Sequence, residues 1–467
     1  MSKKKYFRAS TCYFIGNIFD KALAFITVPI YTRLLSTTEY GLLATYLSWA
    51  SIITIVITLS AGSSIRTAIY DYKDDIDGYL SSIFMFSTVC GFVISVCVIL
   101  LFRIIKSTEP IYVIGCVCIC AFGNSVLGTI QLRYMMEVKY VKRTVIQCMP
   151  NVLTVILSVF LIQNLSNERH LGKLYAHTIV SLLFATGFIV LYLIRGKRIY
   201  SIEYWKYAAT FSLPLIFHSL SNVILSQADR TMLTKMTSAT ETAIYSIAYQ
   251  FGMIPLAITT TLENIWIPWF TDRLSHGDKI SVNKMGEKYI MIATLLCVET
   301  LLVSPEVLKV MTTPDYYKGV YTIPPIVLAT FFMFLTSVSI DFEYYLKKTR
   351  IIAMNTLVAA IINITLNALF IPMYGSVAAG YTTLISYLIS FLMHYLYTRR
   401  MDMDLFSFNI YIKPISIMIV AAVISNAYMN NCSIRWLAAF LMGMLSFLLY
   451  RRELLASVFH IGRGKTE

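Results

Sequence analysis

Apolar residues in this chain come in runs of about 20, each closed by charged or turn-forming residues. That is the length an α-helix needs to cross a hydrocarbon layer of ~30 Å. Fourteen runs are predicted as spans, at approximately 11–33, 41–65, 80–102, 111–132, 144–163, 171–194, 207–231, 242–269, 289–311, 320–342, 351–371, 376–398, 410–428 and 433–450. The first is too long for a signal-peptide core, is interrupted by Asp20 and Lys21, and lacks a small-residue cleavage site, so it reads as a permanent helix. All connecting segments are short. The pattern predicts an all-α polytopic membrane protein whose chemistry is confined to the helix bundle or its rims.

Composition agrees. Of 467 residues, 57% are hydrophobic and only 14% charged, with a mean hydropathy of +0.67; soluble domains carry nearer a quarter charged residues. The net charge of +14 changes the picture only through its placement. With both termini cytoplasmic, 28 of the 39 lysines and arginines fall in inner segments and 10 in outer loops, the positive-inside pattern. Topology and anionic lipid heads then explain the basic balance, and no nucleic-acid partner is expected. The nine cysteines read as packing thiols. Cys116, Cys118 and Cys120 diverge around a helix and have no nearby histidine, so no metal site is expected. Gly462-Arg-Gly464-Lys465-Thr466 lacks a glycine at Phe459 and any domain after it, which argues against a phosphate-binding loop. No nucleophile-elbow or other enzyme pattern appears, and no cofactor is expected beyond a transmembrane ion gradient.

An internal repeat sets the architecture. Ser36, Thr38 and Glu39 map onto Ser238, Thr240 and Glu241 at a shift of 202 residues, each set opening an apolar run as an N-cap segment. The shift covers six helices, so the copies are parallel. The same shift carries a polar stripe of the first helix (Asn17, Asp20, Lys21, Ala24, Thr27) onto Ser219, Asn222, Val223, Ser226 and Asp229, with His218 one turn before Asn222. Polar stripes at membrane depth face either a wet cavity or a neighbouring helix; Asp20 and Lys21 near mid-span favour the cavity, because a charge there costs about 3 kcal/mol. The expected organisation is two pseudo-equivalent six-helix lobes, residues 1–200 and 201–400, around a central cavity, with residues 401–467 forming an added helix pair and a cytoplasmic tail. This is an alternating-access design.

The remaining intramembrane charges leave alternatives open. Arg66 is either an interfacial anchor or a cation at the cavity mouth suited to a phosphate. Asp229 and Arg230 form either a rim ion pair or part of the site. Glu263 precedes Trp266 and Trp269 and is a possible proton site; Glu299 is a proton carrier or a buried hydrogen-bonded acid. Asp341 and Glu343, beside Lys347, Lys348 and Arg350, read as solvated. Pro29, Pro214, Pro255, Pro268 and Pro305 predict kinks.

Three stretches carry a family resemblance: Asn17–Tyr46, with Phe19-Asp20-Lys21, Pro29-Ile-Tyr-Thr-Arg33 and Glu39-Tyr40-Gly41; Phe211-Ser-Leu-Pro214 with Ala228-Asp229-Arg230 and Ile244-Tyr245-Ser246; and Asn363–Asn367 with Ile371-Pro372-Met-Tyr374-Gly375 and Ala378-Ala379-Gly380. In order and spacing they resemble the polysaccharide-transporter branch of the multidrug/oligosaccharidyl-lipid/polysaccharide superfamily, the Wzx-type O-antigen flippases, over about 400 residues. Many members have twelve helices, so the last two here have no assigned role. The resemblance implies an ion-coupled flippase for an undecaprenyl-pyrophosphate-linked oligosaccharide in a bacterial cytoplasmic membrane, working beside membrane lipids and glycan-assembly proteins such as a polymerase. Lys21, Arg66 and Arg230, with Arg33 in reserve, are then the candidate anion-binding residues. Asn17, His218, Ser219 and Asn222 are candidates for the sugar, and Asp20, Asp229, Glu263 and Glu299 for ion coupling. The alternative on the same architecture is a cation-coupled multidrug exporter, which favours a negatively charged cavity with aromatic walls.

Overall fold

The computed structural model describes residues 3–106 and 108–444; the side chains of residues 3–11, Pro214, His218 and Asn264 lie outside that description. The described residues form helices and no strand. In chain order these are α1 (Lys3–Ile26), α2 (Val28–Leu34), α3 (Thr37–Val56), α4 (Ile65–Asp71), α5 (Ile76–Ile104), α6 (Ile111–Met136), α7 (Tyr140–Asn164), α8 (His170–Gly196), α9 (Ile202–Met236), α10 (Ala239–Gly252), α11 (Ile254–Ser275), α12 (Lys279–Met311), α13 (Ile323–Tyr345), α14 (Thr349–Met401) and α15 (Asn409–Ala427), followed by α16 (Cys432–Met444).

Ten of these are long and apolar enough to cross a membrane, or twelve if each bent helix pair makes one span. The difference from the predicted fourteen has two sources. First, α14 contains two predicted runs: its 53 residues would extend about 80 Å at 1.5 Å per residue, too far for one crossing. Gly375 divides it, with φ 58° and ψ −136°, a conformation essentially reserved for glycine. Second, the fourteenth run continues beyond the described residues.

The chain is a multi-pass membrane protein, and its surface fits that medium. Phe92, Ile104, Leu183 and Phe217 are each more than 60% exposed; in water, apolar area on that scale would mark an interface. The predicted proline kinks divide into two kinds. Pro29 and Pro255 open new helices after a break, at the first positions of α2 and α11, where the missing N–H costs nothing. Pro268 and Pro305 lie within continuous helices.

Contacts group the chain into two compact units, Met1–Ser246 with Arg350–Thr382, and Ile247–Thr349 with Thr383–Glu467. In the first, Trp49, Tyr46, Leu43 and Ile53 of α3 pack into one core with Val113, Val117 and Leu174, and a second core gathers Tyr79, Ile83, Phe84, Ile130 and Tyr192. Gly41 permits a close crossing, because a Cβ there would stand 1.7 Å from the Ala239 carbonyl oxygen.

Both copies of the repeat build the expected cap. Ser36 Oγ accepts from the Glu39 N–H at 3.2 Å, and the Glu39 carboxylate accepts from the Ser36 N–H at 2.9 Å, closing a capping box. Ser238 Oγ accepts from the Glu241 N–H at 3.2 Å. Each glutamate then reaches a distant helix start: Glu39 accepts from the Arg169 N–H at 3.0 Å, at the cap of α8, and Glu241 from the Ser376 N–H at 2.8 Å, just past the Gly375 break. A side chain at Gly375 would meet Glu241 Oε2 at 2.7 Å.

In the second unit the last helices dock on α12. Ser425 of α15 donates to the Leu301 carbonyl at 3.3 Å. Arg435 of α16, 1% exposed, donates to the Leu302 carbonyl at 2.9 Å and makes a two-pronged bond with Glu306.

Candidate functional site

Asn17 and Asp20 are three residues apart on α1, and Gln147 and Asn151 four apart on α7, so each pair shares a helix face. The two faces meet. Gln147 Nε2 donates to Asp20 Oδ2 at 2.7 Å and to Asn17 Oδ1 at 2.9 Å, and Asn151 Nδ2 donates to Asp20 Oδ1 at 3.0 Å. Asp20, Gln147 and Asn151 open onto a cavity of about 280 Å³, completed by Asn124, Gln131 and His177 from α6 and α8. His177 Nε2 lies 3.2 Å from Asn124 Oδ1.

Among the described residues, Asp20 is the only aspartate, glutamate, lysine or arginine in that lining. A lone carboxylate among amides and an imidazole attracts a proton or small cation, or accepts sugar hydroxyls; it repels a pyrophosphate. The expected cations are not brought here, since none of Lys21, Arg33, Arg66 and Arg230 lines the cavity. The reason for Lys21 is helical: one residue turns the side chain by about 100° from Asp20, and Lys21 is exposed. Arg66 is exposed on α4. Arg33 is also exposed and donates to the Pro29 carbonyl at 2.8 Å. Arg230 is half-buried, donating to the Ser226 carbonyl at 2.9 Å and Gln227 Oε1 at 3.1 Å, with its guanidinium 5.8 Å from the centre of the Tyr245 ring. Asn222 is exposed. The side chain of His218 lies outside the described residues.

Asp229 is fully buried and joins three segments. Tyr245 Oη donates to one carboxylate oxygen and Asn367 Nδ2 to the other. Asn367 Nδ2 also reaches Asn363 Oδ1 at 3.1 Å, and Thr382 donates to Asn367 Oδ1. The second and third stretches of the sequence resemblance therefore converge on one buried network. The 202-residue shift pairs Asp229 with Thr27 on the matching stripe; both Asp229 and Asp20 have each carboxylate oxygen held by a protein donor, Tyr245 and Asn367 for the first, Gln147 and Asn151 for the second.

In the second unit, Glu263 shares a hydrogen bond with Ser337 and lies within Coulombic reach of Asp341, whose Oδ2 accepts from Trp266 Nε1 at 3.0 Å. Glu299 is half-buried, its Oε1 3.1 Å from where a side chain at Gly443 would begin. The solvated reading of the acids ending α13 is corrected. Asp341 is only partly exposed, and Glu343 is fully buried with its carboxylate oxygens 2.9 and 3.0 Å from His394 Nδ1. A carboxylate at that depth needs such a partner.

Sequence reasoning missed Gln147, Asn151, Asn124, Gln131 and His177. Their signal was present, as polar side chains inside apolar runs, with the α7 amides at one-turn spacing flanking Pro150.

Among curated proteins, protein 1 of the Lsg locus of Haemophilus influenzae is 22% identical over 369 residues, covering 77% of this chain and 89% of that protein. An uncharacterized membrane protein of the same organism is 22% identical over 361 residues, with 76% and 87% covered. Among solved structures, the lipid II flippase MurJ in its inward closed conformation superposes with a TM-score of 0.70 at 15% identity, covering 96% of this chain and all of that one. An inward-facing MATE multidrug resistance transporter gives 0.59 at 14% identity, covering 82% and 94%. With the solved structures the chain shares a fold; the family model described as polysaccharide biosynthesis protein matches residues 7–273, more than half of the sequence, and the chain therefore belongs to that family.

Proposed function

We propose that this protein is a flippase that moves an undecaprenyl-pyrophosphate-linked oligosaccharide, an O-antigen or capsule repeat unit, to the outer leaflet of a bacterial cytoplasmic membrane. The family match over residues 7–273 carries the reading, and the full-length likeness to a lipid II flippase supports the choice of a lipid-linked substrate. The two halves of the repeat, residues 1–200 and 201–400, alternate access, with both termini in the cytoplasm. Asp20 is the coupling group: it is the charged residue that faces a polar cavity, and protonation or cation binding there neutralises it. Lys21, Arg66 and Arg230 remain the candidates for the pyrophosphate, and Asn17 and Asn222 for sugar. Asp229 acts through the joint it forms with Asn367 and Tyr245. Polymerase and other assembly proteins are the expected partners.

The test is deletion of the gene with measurement of lipid-linked repeat units on each leaflet. Accumulation on the inner leaflet, reversed by the wild-type chain, is the expected result; an unchanged distribution defeats the reading. One observation favours a second reading, export of small cationic drugs: the lining of the Asp20 cavity is acidic. Raised drug susceptibility with normal surface glycan in the deletion strain would select it.

A further inference from the structure

A second cavity, of about 610 Å³, opens where α4 meets the start of α9, within the ~300–1,000 Å³ range of small-ligand sites. Its lining includes the aromatic residues Tyr72, Tyr207 and Phe211 and the charged residues Asp71, Glu203 and Lys206. The rings are fixed before any ligand arrives. Tyr72 and Tyr207 stand edge to face with centroids 5.2 Å apart, and the buried Tyr79 and Tyr204 back Tyr72 at 5.3 and 4.7 Å. Tyr207 Oη donates to Asp71 Oδ2 at 2.5 Å, and Tyr72 Oη to Glu203 Oε1 at 3.1 Å. The other oxygen of each carboxylate, Asp71 Oδ1 and Glu203 Oε2, accepts no hydrogen bond from the described residues.

We infer that this cavity is a docking site for an uncharged pyranose sugar. A pyranose has apolar C–H faces and hydroxyl edges; the clamped rings of Tyr72 and Tyr207 offer apolar surface to the faces, and the two open carboxylate oxygens accept hydroxyls. Two carboxylates against one lysine disfavour a phosphate or an acidic sugar. The ligand class rests on the flippase reading, in which the glycan head must be received at one mouth of the bundle before it crosses. This site lies apart from the Asp20 cavity, with no lining residue in common.

The full chain in lipid nanodiscs is tested by saturation-transfer difference NMR with methyl galactoside, N-acetylglucosamine and glucuronate as probes, and tetramethylammonium as a competitor. The two uncharged sugars are expected to bind and glucuronate not to. Tyr72→Ala weakens sugar binding about tenfold, the loss of one stacking ring. Glu203→Gln, which retains the side chain's shape, admits glucuronate. Absence of sugar binding overturns the inference, as does sugar binding unchanged in both variants or displacement of every sugar signal by tetramethylammonium. If Tyr72→Ala does not fold, the glucuronate preference of Glu203→Gln decides alone. Sugar binding that persists alongside a normal leaflet distribution in the deletion strain would uphold this site while defeating the flippase reading; accumulation on the inner leaflet without sugar binding would do the reverse.

Discussion

Thr38 and Thr240 hold the same position in the two copies of the repeat, and their hydroxyl oxygens lie 3.2 Å apart. Around that contact both copies use one device: a serine caps the helix, and the glutamate three residues on holds the N–H of a remote helix start, Arg169 for Glu39 and Ser376 for Glu241. The repeat is thus visible as hydrogen bonding as well as sequence.

Loss of that device should cost stability in both copies. Glu241→Ala frees the Ser376 N–H next to the Gly375 break, and Glu39→Ala frees that of Arg169. Each should lower stability by about 1 kcal/mol, the usual value of a helix cap, read as a reduced melting temperature in detergent. Glu241→Gln retains an acceptor oxygen and should recover most of the loss. An unchanged melting temperature in Glu241→Ala would show that the Ser376 bond contributes nothing.

Arg435 should prove the anchor of the final helices. Besides Glu306 and the Leu302 carbonyl, it donates to the Tyr428 carbonyl at 3.1 Å, so Arg435→Ala strands acceptors and a carboxylate at once. A loss of about 3 kcal/mol is expected, with Arg435→Lys a poor rescue because an ammonium cannot form the two-pronged bond. Pairing Arg435→Met with Glu306→Leu should restore much of the stability. Thermal melting of the three proteins in the same detergent checks the order.

Acid should release the contact between Lys279 and the loop after α14. Partial burial pushes the Asp402 carboxyl upward, but the Lys279 ammonium at 2.7 Å and the Asp404 N–H at 3.0 Å outweigh it, so its pKa falls below the ordinary aspartate value of 3.8. A carboxyl with a depressed folded pKa adds stability that is complete above the unfolded value and disappears as pH falls through the folded one. Wild type should therefore melt higher than Asp402→Asn at neutral pH, and the gap should begin to narrow as pH falls below about 4. A gap that does not narrow as pH falls from about 5 to about 2 would contradict the assignment.

The helices were legible because a run of about 20 apolar residues has few other fates, and the repeat because Ser36 and Ser238 open it with the same cap chemistry. Asp20 was legible as a charge at mid-span. Its partners were not: Gln147 and Asn151 lie more than 120 residues away, and pairing over that distance is set by tertiary packing. Glu343 misled for a local reason. Lys347, Lys348 and Arg350 follow it closely, yet it turns inward to His394, 51 residues on. Asp229 shows the limit of repeat arithmetic: the 202-residue shift pairs it with Thr27, whose hydroxyl bonds only the nearby Ala24 carbonyl among the bonds described, so the partners Tyr245 and Asn367 were not legible from the first copy.

Asp20 and Lys21 are adjacent in sequence but different in surroundings, which makes them a sharp functional pair. Asp20→Asn keeps the size of the side chain and removes the only carboxylate among the described residues that line the cavity, so the chain should insert normally while losing its response to a proton or sodium gradient. Surface polysaccharide should fall by at least about tenfold, equivalent to some 1.4 kcal/mol on the limiting step, and substrate movement in proteoliposomes should become indifferent to an imposed gradient. Lys21→Ala, if Lys21 holds the pyrophosphate, should also abolish surface polysaccharide, but should leave any substrate-free ion movement intact. Wild-type polysaccharide in Lys21→Ala would remove that lysine from the mechanism, and an undiminished gradient response in Asp20→Asn would move coupling away from this cavity to Glu263 or Glu299.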